Sequence, residues 1–219
     1  MTDTFQLPAA FDLGATFFFA LTGALAGMKR KYDLVGVFAL AFVTGVGGAL
    51  LRDCLFLQQG PPLVVRDAGY LLAILAGCLA GVITGNFIER FGKLVAIFDA
   101  VGLSAYAAVG VQKSLATGLS LPAAILVGVL NACGGGLLRD LITREEPLVF
   151  KAGQFYALAA LVGAALAGVL LTQTKLPVAG AALAGMATAF LLRILTIVFN
   201  WRTSPLQPLF SEERQDPKT

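Results

Sequence analysis

The chain has no histidine. That removes the commonest general base and metal ligand, and with them most constellations on which a hydrolase or metalloenzyme is built. Charge is scarce as well: Asp, Glu, Lys and Arg make up 13% of 219 residues, against 58% hydrophobic residues, and mean hydropathy is +0.83. So little polar surface cannot cover a soluble globule of this size. The three cysteines, Cys54, Cys78 and Cys133, are scattered through apolar sequence without metal-ligand spacing, and an odd number cannot close into a complete disulfide set. They read as packing residues. Short segments of alternating polarity, the mark of an outer-membrane barrel, are also missing.

What the chain has instead is long apolar runs, near residues 11 to 28, 34 to 57, 68 to 88, 94 to 112, 120 to 143, 154 to 173 and 176 to 200. Each is long enough to cross a hydrocarbon core of ~30 Å, which takes roughly 20 helical residues. The expectation is an all-α, multi-pass protein of the cell's inner membrane with seven transmembrane helices. The first run is preceded by Asp3 and by no Lys or Arg, so it lacks the charged start of a secretory signal and is expected to be retained. Seven spans put the two ends on opposite faces. Ten Lys and Arg residues fall on the face of the first, third and fifth loops and the C-terminal tail, and three on the other, which predicts an external N-terminus and a cytoplasmic C-terminus.

The sequence also says one thing twice. Gly47-Gly48-Ala49-Leu50-Leu51-Arg52-Asp53 returns as Gly134-Gly135-Gly136-Leu137-Leu138-Arg139-Asp140, six of seven residues identical at an offset of 87. The same offset carries Phe11-Asp12 onto Phe98-Asp99 and Gly23 onto Gly110; after a two-residue deletion, Pro62-Leu63-Val64 falls on Pro147-Leu148-Val149. Such self-similarity outranks any single motif. Because each copy holds three helices, the second must enter the membrane from the opposite side. The predicted organisation is a three-helix repeat over 1–90, its inverted copy over 91–175, a seventh helix over 176–202 and a disordered, Pro-containing cytoplasmic tail over 203–219. Inverted repeats of this kind belong to transporters and channels, whose sites lie near mid-membrane where helices are interrupted.

In the second helix Thr44, Gly48 and Arg52 share one face, and Asn131, Gly135 and Arg139 repeat that stripe in the fifth. Adjacent glycines weaken a helix by roughly 1 kcal/mol each against Ala. Beside a water-filled path the exposed carbonyls can coordinate a cation, so Thr44, Gly47, Gly48, Asn131, Gly134, Gly135 and Gly136 are the candidate ion pathway. The alternative for the glycines is close helix packing. Arg52 and Arg139 are charges inside apolar sequence, where charge is expensive; snorkelling to the interface is the alternative. By depth, Asp12 is the expected partner of Arg52 and Asp99 that of Arg139. Asp53 and Asp140 follow the arginines and reach a pore, a loop or a neighbouring subunit.

The 3 + 3 + 1 organisation, the external N-terminus and a Gly-Gly-Gly-x-x-Arg-Asp-like element in the second and fifth helices together resemble the trimeric intracellular cation channel family (TRIC), in its short prokaryotic form, over residues 11 to 200. The resemblance implies a homotrimer with a pore in each protomer, permeable to monovalent cations and chiefly potassium, and lined by second and fifth helices broken at Gly47-Gly48 and Gly134-Gly135-Gly136. Ala49 stands where a third glycine would be. No resident cofactor is implied; the permeant potassium ion and a bound lipid are the small molecules left open, membrane lipid and a second copy the partners, and nucleic acid is not among them. The competing reading is a small-amino-acid, glycine-type transporter, for which helix N-termini would take the carboxylate and Asp53 or Asp140 the amine. A scaffold gains nothing from charges in helices, and an enzyme is the weakest option.

Overall fold

Residues 7, 9–90, 93–151 and 155–201 are described in the structure, a computed structural model; the tail marked off by the sequence at residue 203 lies outside them. Seven long helices follow one another: α1 (Ala9–Lys29), α2 (Leu34–Leu51, continued by a π-helical stretch over Arg52–Leu57), α3 (Ala68–Arg90), α4 (Lys93–Ala116), α5 (Leu121–Ile142), α6 (Tyr156–Gln173) and α7 (Val178–Val198). All seven are long and apolar enough to span a membrane, where a helix satisfies its own backbone without water. The sequence signals at their ends are local. Asp33 caps α2 by accepting from Gly36 N at 2.8 Å, and Ser120 precedes α5 with proline in the first turn. At the far end of α5, Arg144 takes a left-handed φ of 55°, Arg144 N donates to Leu141 O and Glu145 N to Asp140 O, a Schellman closure.

Helices α1 and α4 lie against each other in the middle. The first packs on α2 and α3, the second on α5 and α6, and α2 meets α5. Those last two neighbours, α1 with α4 and α2 with α5, are each an element beside its own repeat partner, as an inverted repeat requires. Phe19 and Tyr106, 87 residues apart in sequence, stack with ring centroids 5.4 Å apart and mark the pseudo-two-fold axis. Helix α7 packs on α4 and α6. Among the described residues the first repeat has no such cover, and α3 leaves Leu72, Leu79 and Ile83 exposed.

One expectation is corrected here. Neither α2 nor α5 is broken at its glycines: α2 is α-helical through Gly47-Gly48 as far as Leu51, and α5 through Gly134-Gly135-Gly136 to Ile142. The glycines let the two helices cross backbone to backbone instead. A Cβ on Gly48 would run into the carbonyl oxygen of Asn131, and one on Gly135 into that of Thr44. These two contacts are images of each other under the repeat. Small residues at such a crossing let helix dipoles and backbones approach where lipid supplies no hydrophobic drive.

Candidate functional site

Two clusters of buried charge sit at opposite ends of the α1–α4 pair. At the end where α1 begins and α2 and α4 end, termed outer (and the opposite end inner) only after the orientation expected from the charge bias, Asp12 is 3% exposed. Its partner is not Arg52, as depth alone suggested. Lys113, in the last turn of α4, forms the ion pair with Asp12, and the Tyr70 hydroxyl of α3 donates to the same carboxylate. Arg52 turns instead to its own neighbour and across to α5, its Nε donating to Asp53 Oδ1 at 2.7 Å and its Nη1 reaching Asn131 Oδ1 at 3.5 Å. The repeat counterpart of Lys113 is Ala26, so nothing equivalent competes at the inner end. There Arg139 Nη1 donates to Asp99 Oδ1 at 2.9 Å, the pair expected from depth, while its Nε donates to Asp140 Oδ1, also at 2.9 Å. A further bond runs from Nη1 to Thr22 Oγ1 at 3.2 Å.

Of the three destinations open to Asp53 and Asp140, the loop is observed in both halves. Asp53 Oδ2 accepts from Leu63 N at 3.3 Å and Asp140 Oδ2 from Leu148 N at 3.2 Å, so each Arg-Asp pair ties its own helix end to the chain that follows.

A polar line along α1 joins the clusters: Asp12, Thr16, Phe19 and Thr22 lie on one helical face, all but unexposed. Thr16 Oγ1 lies 2.7 Å from the Tyr106 hydroxyl, which donates to Gly45 O at 2.7 Å. Asn131 Nδ2 donates to Tyr106 O at 2.7 Å, whereas Thr44 turns its hydroxyl back to Leu40 O and packs against Gly23 of α1. Above the outer cluster a cavity of about 360 Å³ is lined by Asp53, Gln59, Arg66, Gln112, Lys113 and Thr117 among others. On the inner face, by contrast, Arg30 Nη2 bridges the two repeats to Glu145 Oε1 at 2.9 Å.

Tyr70, Tyr106, Lys113, Tyr156 and Arg193 were not singled out from the sequence. Tyr106 was findable, since it falls on Phe19 at the repeat offset. Lys113 sits one residue past the apolar run and counted as a loop charge, yet it belongs to the last turn of α4. Among the described residues no group of three or more His, Cys, Asp or Glu side chains is placed to hold a metal ion.

Seven apolar helices arranged as an inverted 3 + 3 repeat plus one, with a charge cluster buried at each end, define an all-α membrane protein of the transport class. The comparisons make this specific. A family model described as "Glycine transporter" matches residues 9–86 and again 96–172, once per repeat. A "UPF0126 membrane protein" of Deinococcus radiodurans is 40% identical over 154 residues, 70% of this chain and 71% of that one. The "UPF0126 inner membrane protein YadS" of Escherichia coli K12 is 30% identical over 187 residues, 85% and 89% of the two chains. Among solved structures, the TRIC trimeric intracellular cation channel orthologue from Rhodobacter sphaeroides has a TM-score of 0.81 at 35% identity, covering 87% of this chain and 96% of that one. The chain belongs to this family of prokaryotic TRIC-type membrane proteins, and it is a multi-pass protein of the inner membrane.

Proposed function

We propose that this chain is a monovalent-cation channel, with potassium as its main permeant ion, that assembles as a homotrimer with one conduction path through each protomer. The observation that supports this best is the buried polar line from the outer cavity to the inner cluster. The path runs past Lys113 and Asp12, along Thr16, past the Phe19–Tyr106 pair, and on to Thr22, Arg139 and Asp99. Helices α2 and α5 form its walls, with Thr44, Gly47, Gly48, Asn131, Gly134, Gly135 and Gly136 setting their spacing, and Arg52, Asp53 and Asp140 beside it. At each end one carboxylate oxygen, Asp12 Oδ1 and Asp99 Oδ2, is buried without a partner among the described residues. Each is an acceptor for a passing cation. Because both acids are already paired with Lys or Arg, the field is too weak to strip water from a divalent ion and suits a weakly hydrated monovalent one.

The arrangement is closed. The Lys113 ammonium stands at Asp12 where a permeating cation would stand, and the stacked rings fill the middle. Lys113→Met is expected to raise potassium conductance through the reconstituted protein roughly tenfold, since a hydrogen bond to a charged group is worth about 1.5–3 kcal/mol and 1.4 kcal/mol is a factor of ten. Unaltered currents would remove Lys113 from the path. The function itself is tested by planar-bilayer recording of the purified chain, in which unitary potassium currents are the expected result.

A carrier for a small zwitterion is the second reading, favoured by the cavity beside Asp53 and Lys113 and by the description of the family model. Saturable flux of glycine without unitary currents would decide for it. Orientation is checked separately: a reporter fused after Phe210 is expected in the cytoplasm and one at the N-terminus outside, and finding both on one face would overturn the orientation read from the charge bias.

A further inference from the structure

The two clusters differ in their charges. At the outer end Asp12 and Asp53 face two cations, Lys113 and Arg52. At the inner end Asp99 and Asp140 share the single guanidinium of Arg139, because the position matching Lys113 is Ala26. Two buried carboxylates on one arginine leave an uncompensated negative charge, which is strongly disfavoured away from water.

A second buried cation does lie nearby, on the one helix outside the repeat. Arg193 of α7 is 2% exposed, with its guanidinium carbon 5.0 Å from the centroid of the Tyr156 ring. The Tyr156 hydroxyl and Arg139 Nη2 both lie beside Gly136, 2.8 and 3.8 Å from where its Cβ would be. The Tyr156 ring therefore faces Arg193 while its hydroxyl end lies near Arg139, and Asp99, Arg139 and Arg193 are all within electrostatic reach of it. Asp99 and Arg193 also both lie within electrostatic reach of the Cys133 thiol of α5, on which they act in opposite senses.

We propose that Arg193 is the counter-charge of the inner cluster, a positioning residue through which α7 supplies the cation that α1 lacks at Ala26. The seventh helix then completes the inner cluster electrically as well as covering it. Arg193 holds the Tyr156 ring, whose hydroxyl end lies near Arg139, and the cluster of Asp99, Asp140, Arg139 and Arg193 is neutral, like its outer counterpart. On the channel reading, this neutrality keeps a cation from being trapped at the inner mouth.

The test moves the charge rather than merely deleting it. The end of α1, with Leu21 and Leu25, packs on Leu94, Val95 and Phe98 at the start of α4, so Ala26→Lys should bring an ammonium to Asp99 as Lys113 brings one to Asp12. Arg193→Met, Arg193→Lys, Ala26→Lys and the Arg193→Met/Ala26→Lys double variant are made in the full chain and melted in detergent. Arg193→Met is expected to lower Tm by about 5 °C or more, taking 1 kcal/mol as roughly 2–4 °C for a chain of this size. Arg193→Lys is expected to keep most of the wild-type Tm, and Ala26→Lys to destabilise the wild type yet stabilise Arg193→Met. That reversal of sign is what a packing role would not produce. If Arg193→Met does not fold, recovery of folded protein in the double variant supports the proposal and failure to recover overturns it, as does an Ala26→Lys effect of the same sign in both backgrounds. The proposal rests on the channel reading only for current: Arg193→Met is expected to make the current–voltage relation rectify at least about twofold by gathering cations at the inner end. Absence of all current would count against the channel reading, while the melting data would still decide the role of Arg193.

Discussion

Alanine at Gly48 or at Gly135 is expected to cost the folded protein more than about 3 kcal/mol, beyond the usual ~1–3 kcal/mol for an overpacked core. The obstacle in each case is a main-chain carbonyl on the facing helix, of Asn131 or of Thr44. A side-chain tip can swing away; a carbonyl can move only with its whole helix. Leucine at Gly135 should accordingly prevent assembly before it can block a path. Gly14 of α1, with nothing within 4 Å of its would-be Cβ, is the control, where alanine is expected to be neutral or slightly stabilising. Size-exclusion profiles and melting curves in detergent read both outcomes, and a Gly48→Ala protein melting with the wild type would mean the two helices do not cross in backbone contact.

The second large effect is expected at Asp99. Asp99→Asn leaves the Arg139 guanidinium buried with one carboxylate fewer, a loss on the order of 3–5 kcal/mol for a broken buried pair. Asp12→Asn should cost less, about 1–2 kcal/mol, because the Lys113 side chain is 23% exposed and can turn into the cavity, where solvent screens it. Double-mutant cycles separate the partners: coupling of Asp12 to Lys113 is expected to exceed its coupling to Arg52. The reverse order would restore the pairing inferred from depth alone.

These contrasts show what the sequence carried. Spans, repeat and the Asp99–Arg139 pair are legible because hydropathy and an offset of 87 are one-dimensional properties. The outer pair was not, since Asp12 obeys the symmetry while Lys113 breaks it, and a repeat argument can only propagate what both halves share. Glycine runs mark a place where backbone is bare; whether that bareness meets a path or a neighbouring helix depends on what lies opposite, and only the structure puts Asn131 opposite Gly48. Arg193 was visible as a charge in an apolar segment, but with no repeat partner its neighbours were unreadable until α7 was set against α4 and α6.

The loop ties made by Asp53 and Asp140 also say something about descent. The halves differ by two residues between the Arg-Asp pair and the Pro-Leu-Val run. One of them is absorbed where the π-helical stretch delays the left-handed residue to Gln58, against Arg144 in the other half; the other lengthens the loop. Yet Asp53 reaches Leu63 N and Asp140 reaches Leu148 N, ten and eight residues on. After duplication, the copies were free to drift in length at this corner so long as the clasp still closed. What was inherited is therefore a fastening, and variants with an added or deleted residue between Asp53 and Pro62 belong among the changes this scaffold tolerates.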